Sequence, residues 1–105
     1  MVNLPKLAGY LSGLQKQIAE DDGVFGINYN PIGENFEILI NCEYFLEIAE
    51  ELEVPFDEVC VDEIDPIHSN DPLEIRLEFY KNDVLFFAYF FKEDYEKLLK
   101  EYQNG

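Results

Sequence analysis

The stretch Leu73-Glu74-Ile75-Arg76-Leu77-Glu78-Phe79-Tyr80, followed by Lys81-Asn82-Asp83 and then Val84-Leu85-Phe86-Phe87-Ala88-Tyr89-Phe90-Phe91, decides the fold class. Successive side chains of a strand point to opposite faces. The alternation of Leu73, Ile75, Leu77 and Phe79 with polar neighbours and Tyr80 therefore marks a strand buried on one face only. Lys81-Asn82-Asp83 is turn chemistry. The run from Val84 is apolar at every position, so it must be covered on both faces or show aromatic surface to a partner. Being the most apolar strand, it belongs at the centre of a sheet.

Toward the C-terminus, Glu93 to about Gln103 has helical spacing, with Tyr95, Leu98, Leu99 and Tyr102 on one stripe. Glu93 with Lys97 and Glu96 with Lys100 are favourable pairs one turn apart. Toward the N-terminus, Asp65 to Pro72 reads as a loop, and Glu58 to Ile64 as a strand with Val59 and Val61 facing inward. Glu43 to Glu53 returns to helical spacing through Tyr44, Phe45, Ile48, Ala49 and Leu52, and Pro55 closes it. Val24 to Tyr29 and Phe36 to Ile40 alternate around Asn30-Pro31-Ile32-Gly33-Glu34-Asn35, which predicts a hairpin with Phe25, Ile27 and Tyr29 on one face.

A first helix starts at a candidate cap, Asn3, and carries Leu4, Leu7, Leu11, Leu14 and Ile18 before Gly23 stops it. Gly9 and Gly13 each cost such a helix about 1 kcal/mol relative to Ala, which predicts a close backbone approach on their side. The order is α-β-β-α-β-β-β-α. Residues 1–105 are read as a single compact acidic α+β domain, with a mostly antiparallel sheet of about five strands packed against helices. Periodicity does not set the strand order.

The charge is distributed unevenly. From Gln17 to Ile75 the chain runs 59 residues without Lys or Arg, and that stretch holds 17 of the 23 carboxylates behind the net charge of −16. An apolar content of 48% separates this from the composition of a disordered acidic segment. Charge on this scale predicts self-repulsion, relieved by added salt. The N-terminus lacks a secretory signal and no apolar run approaches the roughly 18 residues that span a bilayer, so the expectation is a cytoplasmic protein with no membrane partner. Cys42 and Cys60 are expected as buried, reduced thiols, able to bridge only if their strands are neighbours.

Two acidic groups stand out as candidate partner-binding residues. Glu43, Glu47 and Glu51 recur every fourth residue with Glu50 beside them. No helical cation offsets a repulsion of roughly 0.2 to 0.5 kcal/mol per pair. Asp57, Glu58, Asp62, Glu63 and Asp65 form the second group, continued by Asp71 around the single histidine, His68. Their spacing lacks the alternating acids and central Gly of a calcium-binding helix-loop-helix. Two separated Cys and one His lack the paired spacing of a zinc site. Neither Ser12 nor Ser69 stands in a nucleophile motif and no Gly-rich phosphate loop occurs, so neither catalysis nor a cofactor is expected.

Direct nucleic-acid binding is disfavoured, because phosphate contact needs a cationic footprint. The expected partner is a basic protein, such as a nuclease or another nucleic-acid-binding protein. In size and charge the chain resembles the small acidic anti-restriction, anti-CRISPR and uracil-glycosylase inhibitors of phages and mobile elements, although no residue motif ties it to one family. That resemblance implies an inhibitor occupying a basic nucleic-acid groove as a DNA mimic. Two alternatives share the charge: an immunity or antitoxin protein neutralising a cationic toxin, and an acidic adapter domain binding through its aromatic strand or sheet edge. Tyr29, Tyr44, Tyr80 and Tyr89 are candidate apolar anchors, most of them expected in the core.

Overall fold

The computed structural model describes residues 2–20, 22–64 and 74–104. Asn3 caps α1 (Leu4–Glu20). Its Oδ1 accepts the Lys6 N–H at 3.1 Å and its carbonyl accepts the Leu7 N–H at 3.0 Å. Strands β1 (Val24–Asn30) and β2 (Asn35–Ile40) form the predicted hairpin. Asn30 shapes its turn, with Oδ1 accepting the Ile32 N–H at 3.0 Å and Nδ2 donating to Glu37 Oε1 at 3.1 Å. A tight helical turn, Cys42–Tyr44, runs into α2 (Phe45–Glu51), and a second, Phe56–Glu58, precedes β3 (Cys60–Ile64). β4 (Glu74–Lys81), β5 (Val84–Phe91) and α3 (Lys92–Asn104) complete the predicted order.

Two boundaries move. The predicted helix from Glu43 to Glu53 opens as a tighter turn and ends at Glu51. The predicted strand from Glu58 starts only at Cys60, because Phe56–Glu58 coils after Pro55. The predicted loop from Asp65 to Pro72 lies outside the described residues.

The sheet order is β1-β2-β5-β4-β3, with β5 at the centre. β2 and β5 run parallel and every other pair is antiparallel. The β4–β5 turn needs two residues with positive φ, and Asn82 (51°) and Asp83 (64°) supply them between the paired Lys81 and Val84. This mirror-image turn matches the twist of the strands it joins.

One face of the sheet holds the core. Ile75, Leu77 and Phe79 of β4 align with Phe90, Ala88 and Phe86 of β5, and α2 and α3 close over them through Phe45, Ala49 and Leu98. Phe45 is fully buried and meets Phe79 and Phe90 edge-on, both at 5.6 Å between ring centres. On the opposite face Tyr80, Tyr89 and Phe91 are exposed. Arg76 lies there too, its guanidinium 4.5 Å from the Phe87 ring and 3.0 Å from Glu78. Of the two fates open to the all-apolar strand, β5 takes cover on the core face and a mixture on the other, where Leu85 is buried and Phe87 half-buried while Tyr89 and Phe91 are exposed.

The N-terminal layer is different. α1 borders Ile27 and Phe36 through Leu11, Leu14 and Ile18, yet none of its residues is buried. At about 3.6 residues per turn, Gly9 and Gly13 fall on the side away from that stripe. A Cβ built on either glycine meets nothing within 4 Å, so the predicted close approach is absent. In β1, Phe25 is left without a partner where the register shifts between Val24 and Gly26, which interrupts the simple alternation. The radius of gyration of 15.8 Å exceeds the roughly 13 Å of a compact chain this long.

Candidate functional site

Eight of the nine candidate carboxylates fall on described residues, and all eight are exposed. Glu43 stands in the first tight turn and Glu47, Glu50 and Glu51 on α2, while Asp57 and Glu58 occupy the second turn and Asp62 and Glu63 the edge strand β3. Asp65 lies outside the described residues, as do His68, Ser69 and Asp71. Arg76 with Glu78 is the only ion pair among the described residues. The Glu93–Lys97 and Glu96–Lys100 spacings of α3 therefore do not close into ion pairs.

The predicted ridge of Glu43, Glu47 and Glu51 is not one straight row, because Glu43 precedes the α-helix in a turn of tighter pitch. What the fold assembles is a cleft of about 760 Å³ between the end of α1, the start of β1 and α2. Its apolar floor comes from Val24, Ile40, Ile48, Leu52 and Phe86, and Glu20, Asp22, Glu47 and Glu51 line it with carboxylates. Glu50 faces a second groove of about 400 Å³, beside Leu46, Val54 and Phe56 and near Glu101 and Tyr102. The Phe56 and Tyr102 rings stack there at 4.7 Å.

Asn41 shapes the cleft. Its backbone N–H donates to the Gly23 carbonyl at 2.8 Å, and its Nδ2 donates to the Asp22 carbonyl at 3.1 Å. Its Oδ1 accepts the Glu43 N–H at 3.0 Å. One residue thus ties the α1–β1 junction to the turn that launches α2, fixing the two acidic walls relative to each other. Glu20 and Asp22 were not among the predicted site residues. The signal for them is the acidic run Glu20-Asp21-Asp22 directly before Gly23, inside the cation-free stretch.

Backbone conformation adds a second observation. Of the four described non-glycine residues with positive φ, three are acids: Glu34 (55°), Glu53 (59°) and Asp83 (64°). Glu53 follows α2 where glycine is the usual choice, and its N–H donates to the Glu50 carbonyl at 3.0 Å while the Val54 N–H reaches the Ala49 carbonyl at 2.9 Å. None of the described glycines has a positive φ. The chain keeps carboxylates where left-handed backbone costs an ordinary residue about 1 kcal/mol.

The other candidates resolve simply. Cys42 is half-buried, and burial, then Asp94 and Glu43, push its thiol pKa upward. Cys60 is exposed rather than buried as predicted, and both thiols are free. Of the four candidate anchors, Tyr29, Tyr80 and Tyr89 are exposed, against the expectation of core burial, and Tyr44 borders the cleft. Among the described residues no three His, Cys, Asp or Glu side chains converge on a metal-sized site. No described helix is long and apolar enough to cross a membrane. Compared with known proteins, the chain matches no family model and no curated protein.

Proposed function

We propose that this chain is a small acidic inhibitor that occupies the basic nucleic-acid-binding groove of a partner protein as a DNA mimic. The observation that carries the reading is that its exposed carboxylates are mounted on α2, the two tight turns and β3 without cationic partners. Charges held in fixed geometry make complementary contacts without first having to be ordered, and a field of one sign steers a basic partner toward them. The cleft adds a means of recognition. A Lys or Arg stem can lie on Val24, Ile48 and Leu52 while its head reaches Glu47 or Glu51.

The test is affinity capture on the immobilised chain, followed by elution with excess double-stranded DNA or with salt. The reading expects a basic nucleic-acid-binding protein released by both. Capture of partners indifferent to DNA and salt alike contradicts it. A second reading, an adapter that binds through the open sheet face, is favoured by the exposed Tyr80, Tyr89 and Phe91 and expects that salt-insensitive result.

A further inference from the structure

The two edges of the sheet are unlike. β3 carries Asp62 and Glu63, whereas β1, Val24–Asn30, has no charged residue and no Pro. An edge strand presents unpaired N–H and C=O groups, and proteins usually guard it with charge, with proline or with a covering element. Here only one edge is guarded by charge. The bulge at Phe25 leaves Gly26 to Asn30 in unbroken pairing with β2, so its outer side remains a usable template.

The N-terminal segment that carries this edge also holds most of the exposed apolar side chains. Of the fifteen large apolar side chains exposed among the described residues, ten fall between Val2 and Phe36, including Leu4 at 64%, Tyr10 at 70% and Phe25 at 64%. Taking roughly 200 Å² for a fully exposed aromatic or large aliphatic side chain, these ten offer on the order of 1,000 Å². A standard protein interface takes about 800 Å² from each partner.

Charge decides between occupants. Residues 1–19 hold no carboxylate and two lysines, Lys6 and Lys16, and residues 23–33 hold no charge at all, while the whole chain stands at −16. Two copies repel each other wherever acids face acids, and α1 up to Ala19 together with β1 is the surface where that repulsion is least, its acids confined to the flanking Glu20-Asp21-Asp22 and Glu34. A strand pairing antiparallel with its own copy generates a two-fold axis, the closed symmetry most dimers use.

We propose that this chain dimerises through β1, antiparallel to β1 of a second copy, to form a continuous ten-stranded sheet. The exposed stripe of α1 is buried near the two-fold axis on the helix-bearing face. The guarded β3 edges then lie at opposite ends, about 40 Å apart at the usual strand spacing.

Sedimentation of the full chain over a concentration series tests this. The expected mass is twice the 12.3 kDa chain. Ile27→Lys, which sets like charges against each other across the axis, is expected to weaken dimerisation by roughly 10-fold or more. The pair Asp62→Asn and Glu63→Gln, on the other edge, is expected to leave it unchanged. Amide exchange provides a readout on the unmodified protein. Residues 24–30 should lose protection on dilution while 60–64 do not. A monomer at every concentration, a dimer indifferent to Ile27→Lys, or protection of 24–30 that ignores dilution would each overturn the proposal.

Discussion

The two halves of the sheet are built differently, although each pairs two neighbouring strands in a hairpin. The β4–β5 half is closed: α2 and α3 bury Ile75, Leu77, Phe79, Ala88 and Phe90 against Phe45. The β1–β2 half is open, with α1 standing over Ile27 and Phe36 and burying none of its own residues. Both are apolar enough to have a core, so composition does not make the difference. A layer closes only when the covering element meets side chains at its own depth. Phe45 supplies that depth in one half, while α1 leaves an apolar gap of about 390 Å³ in the other. The closed half buries the core, and the open half leaves apolar side chains exposed.

Phe45 carries the largest difference between the two halves. Phe45→Ala should cost about 3 to 5 kcal/mol in urea denaturation, since the ring has no exposed surface and two aromatic neighbours. A loss under about 1 kcal/mol would show that the closed half is not the stabilising one. Asn41→Ala should cost about 1 to 2 kcal/mol, because the Glu43 N–H loses its acceptor and the Asp22 carbonyl loses its donor at once. Equal stability with an unchanged cleft would remove Asn41 from the account of the site.

Smaller effects sharpen the picture. Glu53→Gly should stabilise by about 1 kcal/mol, since φ of 59° is natural to glycine. A destabilised variant would mean the Glu53 side chain makes up for its backbone. Raising salt should lift the melting temperature by on the order of a few degrees through screening of the net −16 charge. A flat or falling midpoint would contradict self-repulsion. Alkylation at mildly alkaline pH should label Cys60 faster than Cys42, whose raised pKa leaves less thiolate. The smallest stability effect, within about 0.5 kcal/mol, belongs to Leu11→Ala in the open half at high dilution.

Much of this was legible in the sequence where periodicity was strong. Alternation from Glu74 to Tyr80 specified a half-buried strand, the apolar run from Val84 specified the central one, and Asn3 marked the start of α1. Strand order and the parallel β2–β5 pair were not legible, because pairing between distant segments leaves no local pattern. The exposure of α1 was hidden for a related reason. Leu4, Leu7 and Leu11 have the spacing of a buried stripe, and spacing records that a face is apolar without recording what covers it. For the site, carboxylate identity was readable but grouping was not. The cleft joins Glu47 and Glu51 to Glu20 and Asp22 across a chain separation that only the fold closes. The acids placed at positive φ were invisible too, since glycine is the residue that usually marks such positions.

The proposed binding face for a basic partner rests on the fixed carboxylates of α2, the two tight turns and β3. Its most direct test is the association rate with the captured partner, measured from low to high salt for the parent chain and for the Glu47→Lys, Glu51→Lys double variant. The account predicts a parental rate that falls steeply with salt. The variant should associate more slowly at low salt and converge with the parent at high salt, with its melting temperature retained. Equal rates for parent and variant at every ionic strength would contradict it.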